Sequence, residues 1–408
     1  MSNPSSKAAV LYEPETAWGE AISTFALFRL PVTKAVDVSG LTHAKIDASR
    51  VVQRMGEGTQ YILGPQGGSV KTTMWLTGHG SSTSGATTAT ATETLLGRVF
   101  GNIGVSAAAG TTFTGGTATV PTTTASGTFA AGSLCRAGVQ GDTKGNGQFL
   151  AIGTHATTTL NLLTGLDLPP TTDVLYSAVN VYPSEDPING TTVQPIRLLF
   201  QTANLQYECH GCFPTSAKIT GLNTGEIPVI EITWGVSWWA YNTTAFPSVV
   251  ATETFQPAAN AGGSLFVAPV GTVTRAKRTY RGFTLDFNIN VTPLVGPGGL
   301  GNSFQTIVGA RRTGHTCKVT WTEDADIATL TPALPALGVG VVDYHLLWTG
   351  NPTAGKSMGI YCPTIRFSNI PLQKADGNIN RLAIEAMAQT GPTVTSDLTA
   401  SSVRIGFA

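Results

Sequence analysis

Apolar and polar residues alternate with period two over several long runs of this chain, as strands must when one face lies on a core. Val70, Thr72, Met74 and Leu76 alternate with Lys71, Thr73, Trp75 and Thr77, and the run closes on Gly78 and Gly80, which predicts a strand followed by a turn. Ile230, Ile232, Trp234, Val236 and Trp238 form one apolar face against Glu231, Thr233, Gly235 and Ser237. Phe283, Leu285, Phe287, Ile289 and Val291 share a face opposite Thr284, Asp286, Asn288 and Asn290. A fourth run sets Leu382, Ile384 and Ala386 against Arg381 and Glu385. Helical spacing is scarce. One short helix is predicted where Thr90 and Glu93 form a capping box ahead of Leu95, Leu96, Val99 and Phe100, with Gly101 ending it. Such a helix would cover one face of a sheet. The fold class read from this pattern is all-β with a short packing helix.

From Gly101 to Gly132 the chain is almost wholly Gly, Ala, Thr and Ser. Such residues bury too little apolar area to fold alone, so this tract is either a long loop or part of a small β insertion. Further on, two segments share an order of features. Arg197, Leu198, Leu199 and Phe200, then Pro214 and Thr215, then Thr224 to Ile227, lead into the strand ending at Trp238. His345, Leu346, Leu347 and Trp348, then Pro363 and Thr364, then Asp376 to Ile379, lead into the strand ending at Met387. A long alternating strand precedes each, ending at Thr77 and at Val291. The duplication predicts two β-sandwich domains, 1–250 and 251–408. The first would carry an insertion at about 101–180, and the boundary would fall in the Pro- and Ala-rich stretch between Phe246 and Gly263.

Composition narrows the function classes. Only 12% of the 408 residues are charged, and 24 basic residues balance 24 acidic ones. Copies of such a surface repel each other weakly, which favours association. No basic run exceeds Arg311 and Arg312, which argues against a sequence-reading nucleic-acid binder. Five cysteines imply no disulfide framework and fit a reducing compartment. Met1 to Glu20 does not read as a secretory signal. Leu330 to Val342 is too short and too rich in proline to cross a membrane, so the Asn-x-Thr matches at Asn189 and Asn242 carry little meaning.

Candidate chemistry is sparse. Gly350 to Ser357 matches G-x-x-x-x-G-K-S, but a phosphate-cradling loop needs a helix N-terminus after it, and Met358 to Phe367 reads as extended chain. A polar hairpin tip is the competing reading. Cys209 and Cys212 form a C-x-x-C around His210 and Gly211, without a second pair for zinc. On a regular strand their thiols would point to opposite faces unless a turn intervened, so buried structural thiols are expected. His43, His79, His155, His315 and His345 form no metal-spaced pair. Glu323, Asp324 and Asp326 read as a solvated turn after Trp321, with a carboxylate pair or calcium loop as the alternative. No catalytic, cofactor-binding or metal residues are assigned.

Ala8 to Gly19 (AAVLYEPETAWG) followed by Gly64 to Gly80 (GPQGGSVKTTMWLTGHG) resembles the opening of the tail tube (major tail) proteins of long-tailed bacteriophages. A long strand and a helix starting near Thr92 follow in that family's order. Cys212 to Trp239 is similar to the strand pair these proteins repeat, and Arg404 to Ala408 (RIGFA) is typical of their close. Gly101 to Val181 departs from a compact tube subunit and reads as an added surface domain. The resemblance implies a β-sandwich whose inner strands join those of neighbouring copies into a β-barrel, in stacked rings that form a hollow tube for genome delivery. A duplicated fold would make the ring from three copies, a single fold from six. Further implied partners are the tape measure, tail tip and terminator proteins, with weak non-specific passage of DNA and no membrane. The location would be the virion tail, assembled in the bacterial host cytoplasm, with no enzyme activity and no cofactor. The alternative is a capsid or tail decoration, or an adhesin, binding surface glycans through Trp238, Trp239 and Tyr241.

Overall fold

A computed structural model describes residues 10–16, 18–19, 28–47, 61–79, 86, 88–106, 111–124, 127–138, 147–166, 174–185, 192–202, 205–242, 260, 263–273, 277–296, 307–324, 343–351, 353, 355–369, 372–374, 380–391 and 395–408. Met1 to Lys7, Asn189, most of the Phe246 to Gly263 boundary, Leu330 to Val342 and Asp376 to Ile379 therefore lie outside the described residues.

The chain is nearly all β. Its elements run β1 (Val10–Pro14), β2 (Phe28–Arg29), β3 (Leu41–Asp47), β4 (Tyr61–Trp75), α1 (Ala91–Phe100) and β5 (Gly101–Val105). Then come β6 (Thr111–Gly116), β7 (Pro121–Thr123), β8 (Leu134–Ala137), β9 (Phe149–Ala156), β10 (Thr159–Leu162) and β11 (Val174–Ser177). β12 (Val179–Pro183), β13 (Ile196–Thr202), β14 (Leu205–Thr220), β15 (Val229–Val236) and β16 (Trp238–Asn242) complete the first half. The second half holds β17 (Ser264–Pro269), β18 (Lys277–Arg278), β19 (Arg281–Val295), β20 (Ile307–Asp324) and β21 (Tyr344–Thr349). It ends with β22 (Met358–Asn369), β23 (Leu372–Lys374), β24 (Asn380–Gln389), the single-turn α2 (Asp397–Ala400) and β25 (Arg404–Phe407).

Strand pairing reveals two copies of one antiparallel ladder. In the first copy the neighbours run β3–β4–β15–β14–β13–β1. In the second they run β19–β20–β24–β22–β21–β17. Even the irregularities coincide. A bulge interrupts β13–β14 between Ile196 and Leu198, and another interrupts β21–β22 between Tyr344 and Leu346. The shift between Pro214 and Ser216 on β14 has its counterpart between Phe367 and Asn369 on β22. These matched bulges align Arg197 to Phe200 with His345 to Trp348, as the sequence pattern does. They also correct it in two places: Pro214 corresponds to Phe367 rather than Pro363, and the counterpart of β4 is β20, while the Phe283 to Val291 run belongs to the counterpart of β3. Because each bulge adds a residue on one strand only, spacing along the chain drifts from spacing in the ladder.

The halves share one core. Val10, Ile196 and Trp234 from the first ladder pack in the same cluster as Phe287, Val319 and Trp348 from the second. Strand β14 joins the ladders directly, with Ser216 opposite Asn288 and Ile219 opposite Leu285. The apolar sets Val70, Met74 and Leu76, Phe283 to Ile289, and Leu382 to Ala386 all face this core, and Trp234 Nε1 donates to Thr72 Oγ1 at 2.9 Å.

Helix α1 forms where the capping box places it. Glu93 N donates to Thr90 Oγ1 at 3.2 Å, and Thr90 N donates to Glu93 Oε2 at 2.7 Å. Gly101 ends the helix at φ 127°, a conformation that disfavours side chains. Leu95, Leu96, Val99 and Phe100 bury its apolar face, and the Phe100 ring lies 4.9 Å from that of Phe287. Arg312 donates to Val99 O at the helix C-terminus, where a cation complements the exposed carbonyls.

The Gly/Thr/Ala tract belongs to a closed six-stranded barrel, in the order β10–β7–β6–β11–β8–β9. The tract contributes only β6 and β7, tied by hydroxyl contacts such as Thr114 to Thr122 at 3.1 Å. The barrel's own core comes mostly from later residues, among them Leu150, Ile152, Leu160 and Leu175, with Phe113 and Phe129 from the tract itself. The chain leaves through β5 and returns through β12, which pair with Val105 opposite Val179, so the barrel is inserted at a narrow neck.

Replacing Thr90 with Ala removes one half of the capping box. It is expected to lower stability by about 1 kcal/mol, read as a shifted midpoint in urea with an unchanged slope.

Candidate functional site

The nucleotide-loop match does not have phosphate-binding geometry. β21 and β22 on either side of it are antiparallel neighbours, and Met358 starts a strand where a helix would be required. The segment is instead the connection of the β21–β22 hairpin, closed by Gly350 N donating to Met358 O at 2.8 Å; Thr353 is exposed, while Asn351 and Ser357 are buried and Ser357 exchanges backbone hydrogen bonds with Ala408. Pro352 and Ala354 lie outside the described residues.

Cys209 and Cys212 sit on the same face, both in the main core, because the bulge at Gly211 (φ 56°) supplies the extra residue that a regular strand lacks. Both thiols are free, and burial raises both pKa values. Glu323 is a buried strand residue and not part of a solvated turn. It accepts from Trp321 Nε1 at 2.6 Å and lies 4.0 Å from Arg278. The alternation ending at Trp238 breaks at Ser237, so it is Trp239 that continues into the main core. Trp238 instead stacks on His210 at 4.0 Å, nearly parallel, and donates to Gly19 O at 3.2 Å.

Below Trp238 lies a charge cluster that sequence spacing does not reveal, since its members come from β1, β13, β14 and the segment after β1. His210 contacts Glu15 Oε1 at 3.2 Å and Glu208 Oε1 at 2.8 Å. Glu15 also accepts from Gly19 N and Gly211 N at 3.1 Å, and Arg197 pairs with Glu208. Burial pulls the His210 pKa down, but the hydrogen bonds and charges of Glu15 and Glu208 outweigh it and leave the pKa raised. For Glu208, burial pushes upward, and His210 with Arg197 more than compensates, so its pKa is lowered. The other histidines are dispersed. His79 contacts Glu93 at 3.0 Å, His155 contacts Thr123 at 3.0 Å, and His315 contacts Ser402 at 2.9 Å. Among the described residues no group of three or more His, Cys, Asp or Glu side chains could hold a metal ion.

The most extended polar feature is the outer face of the joined ladders. One cross-strand row runs Thr73, Glu231, Lys218, Asp286, Lys318 and Met387 across β4, β15, β14, β19, β20 and β24. Opposite charges directly across a strand pair stabilise a sheet by a few tenths of a kcal/mol to about 1 kcal/mol. Lys34 adds a 3.3 Å contact to Glu231, and Lys318 a 2.9 Å contact to Glu385. The face is therefore polar with its charges alternating.

The ends of this joined sheet are unlike its middle. β14 carries β15 on one edge and β19 on the other over Ser216 to Ile219. Following the register from Asn369 through Glu385, Thr320 and Cys317 shows that Asn369 corresponds to Ser216 and Thr42 to Asn288. Yet among the described residues β3 pairs only with β4, and Asn369 and β23 pair only with β24. Both partners of a second such junction are thus present on one chain and unpaired with each other. Residues Ser39, Thr42, Arg366 and Ser368 along these edges are exposed. No family model matches the chain, and no curated protein matches it.

The charge cluster should make stability pH-dependent. The His210 contribution is complete below the ordinary imidazole value of 6.5 and fades as pH climbs through the raised one. His210→Gln is expected to cost about 3 kcal/mol near pH ~6, with a smaller loss near pH ~9, measured by urea unfolding across that range. An equal loss at both would show that the imidazolium is not the stabilising form.

Proposed function

We propose that the protein is a tail tube subunit: copies join edge to edge into rings, the rings stack, and the polar sheet face lines a channel. One observation carries the reading. The junction between the two ladders has a counterpart whose two strand edges, β3 and β22–β23, are both present and, among the described residues, both without a further partner. An exposed edge is a template for pairing. If β3 of one copy meets β22–β23 of the next, each contact repeats the β14–β19 junction, and a head-to-tail contact of this kind closes into a ring when the rotation allows. Three duplicated chains then act as six ladders.

Two further features support this function. The alternating charges of the Glu231 to Lys318 row offer no continuous basic track, so phosphates passing along the face would release few counterions and be held weakly. The long strand β19 ends in exposed Leu294 (53%) and Val295 (75%), apolar surface suited to contact with an adjacent ring. A second reading, a glycan-binding decoration or adhesin, is favoured by Tyr241, which is 58% exposed and stacks on Trp239 at 6.1 Å.

Electron microscopy of the purified protein is expected to show hollow tubes of constant width. Thr42→Cys combined with Asn369→Cys should cross-link neighbouring chains on oxidation, because directly opposed strand residues lie within disulfide reach. Non-reducing gels should then show a series ending at three chains, whereas each single variant runs as a monomer. Monodisperse monomers that never cross-link, and that bind a glycan array through Tyr241, would favour the second reading instead.

A further inference from the structure

The two ladders differ most at one equivalent position. In the first, the face of β1, β13 and β14 turned away from the main core carries Glu13 opposite Arg197, with Glu208 and His210 beside them. In the second, the matched register puts Ala268 opposite His345, with Tyr361 and Pro363 in place of Glu208 and His210. Val270 takes the place of Glu15. The paired charges that fill the first position are therefore missing from the second.

A cavity of about 410 Å³ occupies the second position, between the ladder and the inserted barrel. Leu162 and Leu163 line it from the barrel, Val270 and Pro363 from the ladder, and Tyr361 and Arg404 from below. His345 also lines it. This imidazole is only 7% exposed and has no hydrogen-bond partner among the described residues; its one ring contact is an edge-on approach to Tyr361 at 6.2 Å. Burial pushes its pKa down to about 4, so at neutral pH it presents one N–H donor and one nitrogen acceptor without charge.

Arg404 does not make this an anion site. Its guanidinium donates to Ser401 Oγ at 3.1 Å, Gly132 O at 2.8 Å and Thr399 O at 2.9 Å, and it lies over the Tyr361 ring. Its donors are turned to the protein, and the remaining wall is mainly apolar; its other polar members engage one another, Asn161 donating to Thr154 Oγ1 at 2.8 Å and the Thr395 and Thr399 hydroxyls lying 3.1 Å apart. A buried polar group without a partner is costly, whereas a mainly apolar pocket with one convergent polar group is the usual form of a small-molecule site.

We propose that this cavity binds an uncharged, largely apolar small molecule carrying a single hydrogen-bonding group, which meets His345. The site stands independently of the tube reading, since it lies within one chain.

The neutral dye N-phenyl-1-naphthylamine has one N–H on an apolar ring system and fluoresces more strongly out of water, so it serves as the probe. Titrated against the full chain, it is expected to bind saturably with one site per chain. Val270→Trp, at a position 38% exposed at the mouth, should weaken binding more than ~10-fold by filling the entrance. His345→Phe, which keeps the ring but removes both nitrogens, should weaken it about 10-fold. Leu294→Asn with Val295→Asn, at the exposed end of β19, should leave it unchanged. Absence of saturable binding overturns the proposal, as does binding that is lost in the β19 variant but survives Val270→Trp. Unchanged affinity in His345→Phe overturns the assigned ligand class, and thermal melts of each variant identify any that fails to fold.

Discussion

Everything in this molecule hangs on the antiparallel hydrogen bonding of β14 between Ser216 and Ile219, where one strand serves two ladders at once. On one side it completes its own repeat through β15, and on the other it accepts β19 from the second repeat. A backbone in a sheet must satisfy donors and acceptors on both edges, and a central strand does so only if the neighbouring unit brings a strand in matching register. The matched bulges preserve that register in both copies. Without them, a one-residue slip would turn Ala217 and Ile219 out of the core and bring Lys218 into it.

The low charge content fits this architecture once the location of the charges is known. Many of them are buried and already committed. Arg197, Glu208, Glu15 and His210 neutralise one another, Arg312 closes α1, and Arg404 ties α2 and the barrel to the C-terminal strand. Burying an ion is unfavourable unless it is paired and hydrogen-bonded, and these groups are held by partners drawn from distant parts of the chain. On the outer sheet face the row Glu231, Lys218, Asp286 and Lys318 alternates in sign. A near-neutral surface repels copies of itself weakly, and among the described residues the edges of β3 and β23 are without a second strand.

Much of the fold is legible in the sequence, for physical reasons that also mark where legibility stops. Strand faces follow from local periodicity, so Phe283 to Ile289 and Leu382 to Ala386 could be assigned to a core without any partner. The capping box of α1 is equally local, since Thr90 and Glu93 are three residues apart. Bulges are not local. The same-face placement of Cys209 and Cys212 and the true counterpart of Pro214 both depend on an extra residue that only the opposing strand reveals. The charge cluster escaped for the same reason, because Glu15 and His210 are 195 residues apart. Glu323 looked solvated because its run of acids was visible and its partners Trp321 and Arg278 were not. The Gly/Thr tract was ambiguous for a compositional reason: β6 and β7 carry little apolar surface, and their fold depends on Leu150, Ile152 and Leu160 beyond the tract.

The contrast between the two ladders also explains where the barrel sits. On the equivalent face of the first ladder, the paired Glu13, Arg197 and Glu208 lie beside Leu11 and Leu199, both of which are already buried. The second ladder offers Phe266, Leu347 and Tyr361 at that face, and these pack with Leu134, Phe149 and Ala151 of the barrel. Gly359 and Gly406 let the Phe149 ring approach the backbone so closely that an added Cβ would fall 2.5 Å and 2.8 Å from its atoms. Apolar burial of this kind scales with contact area and needs no partner geometry, so it can anchor an inserted domain reached through the narrow β5–β12 neck. The seal is incomplete around His345, where aliphatic walls and one imidazole replace the dense ion pairing of the equivalent site. The substitutions that free this face for the barrel are thus the same ones that leave a cavity beneath it.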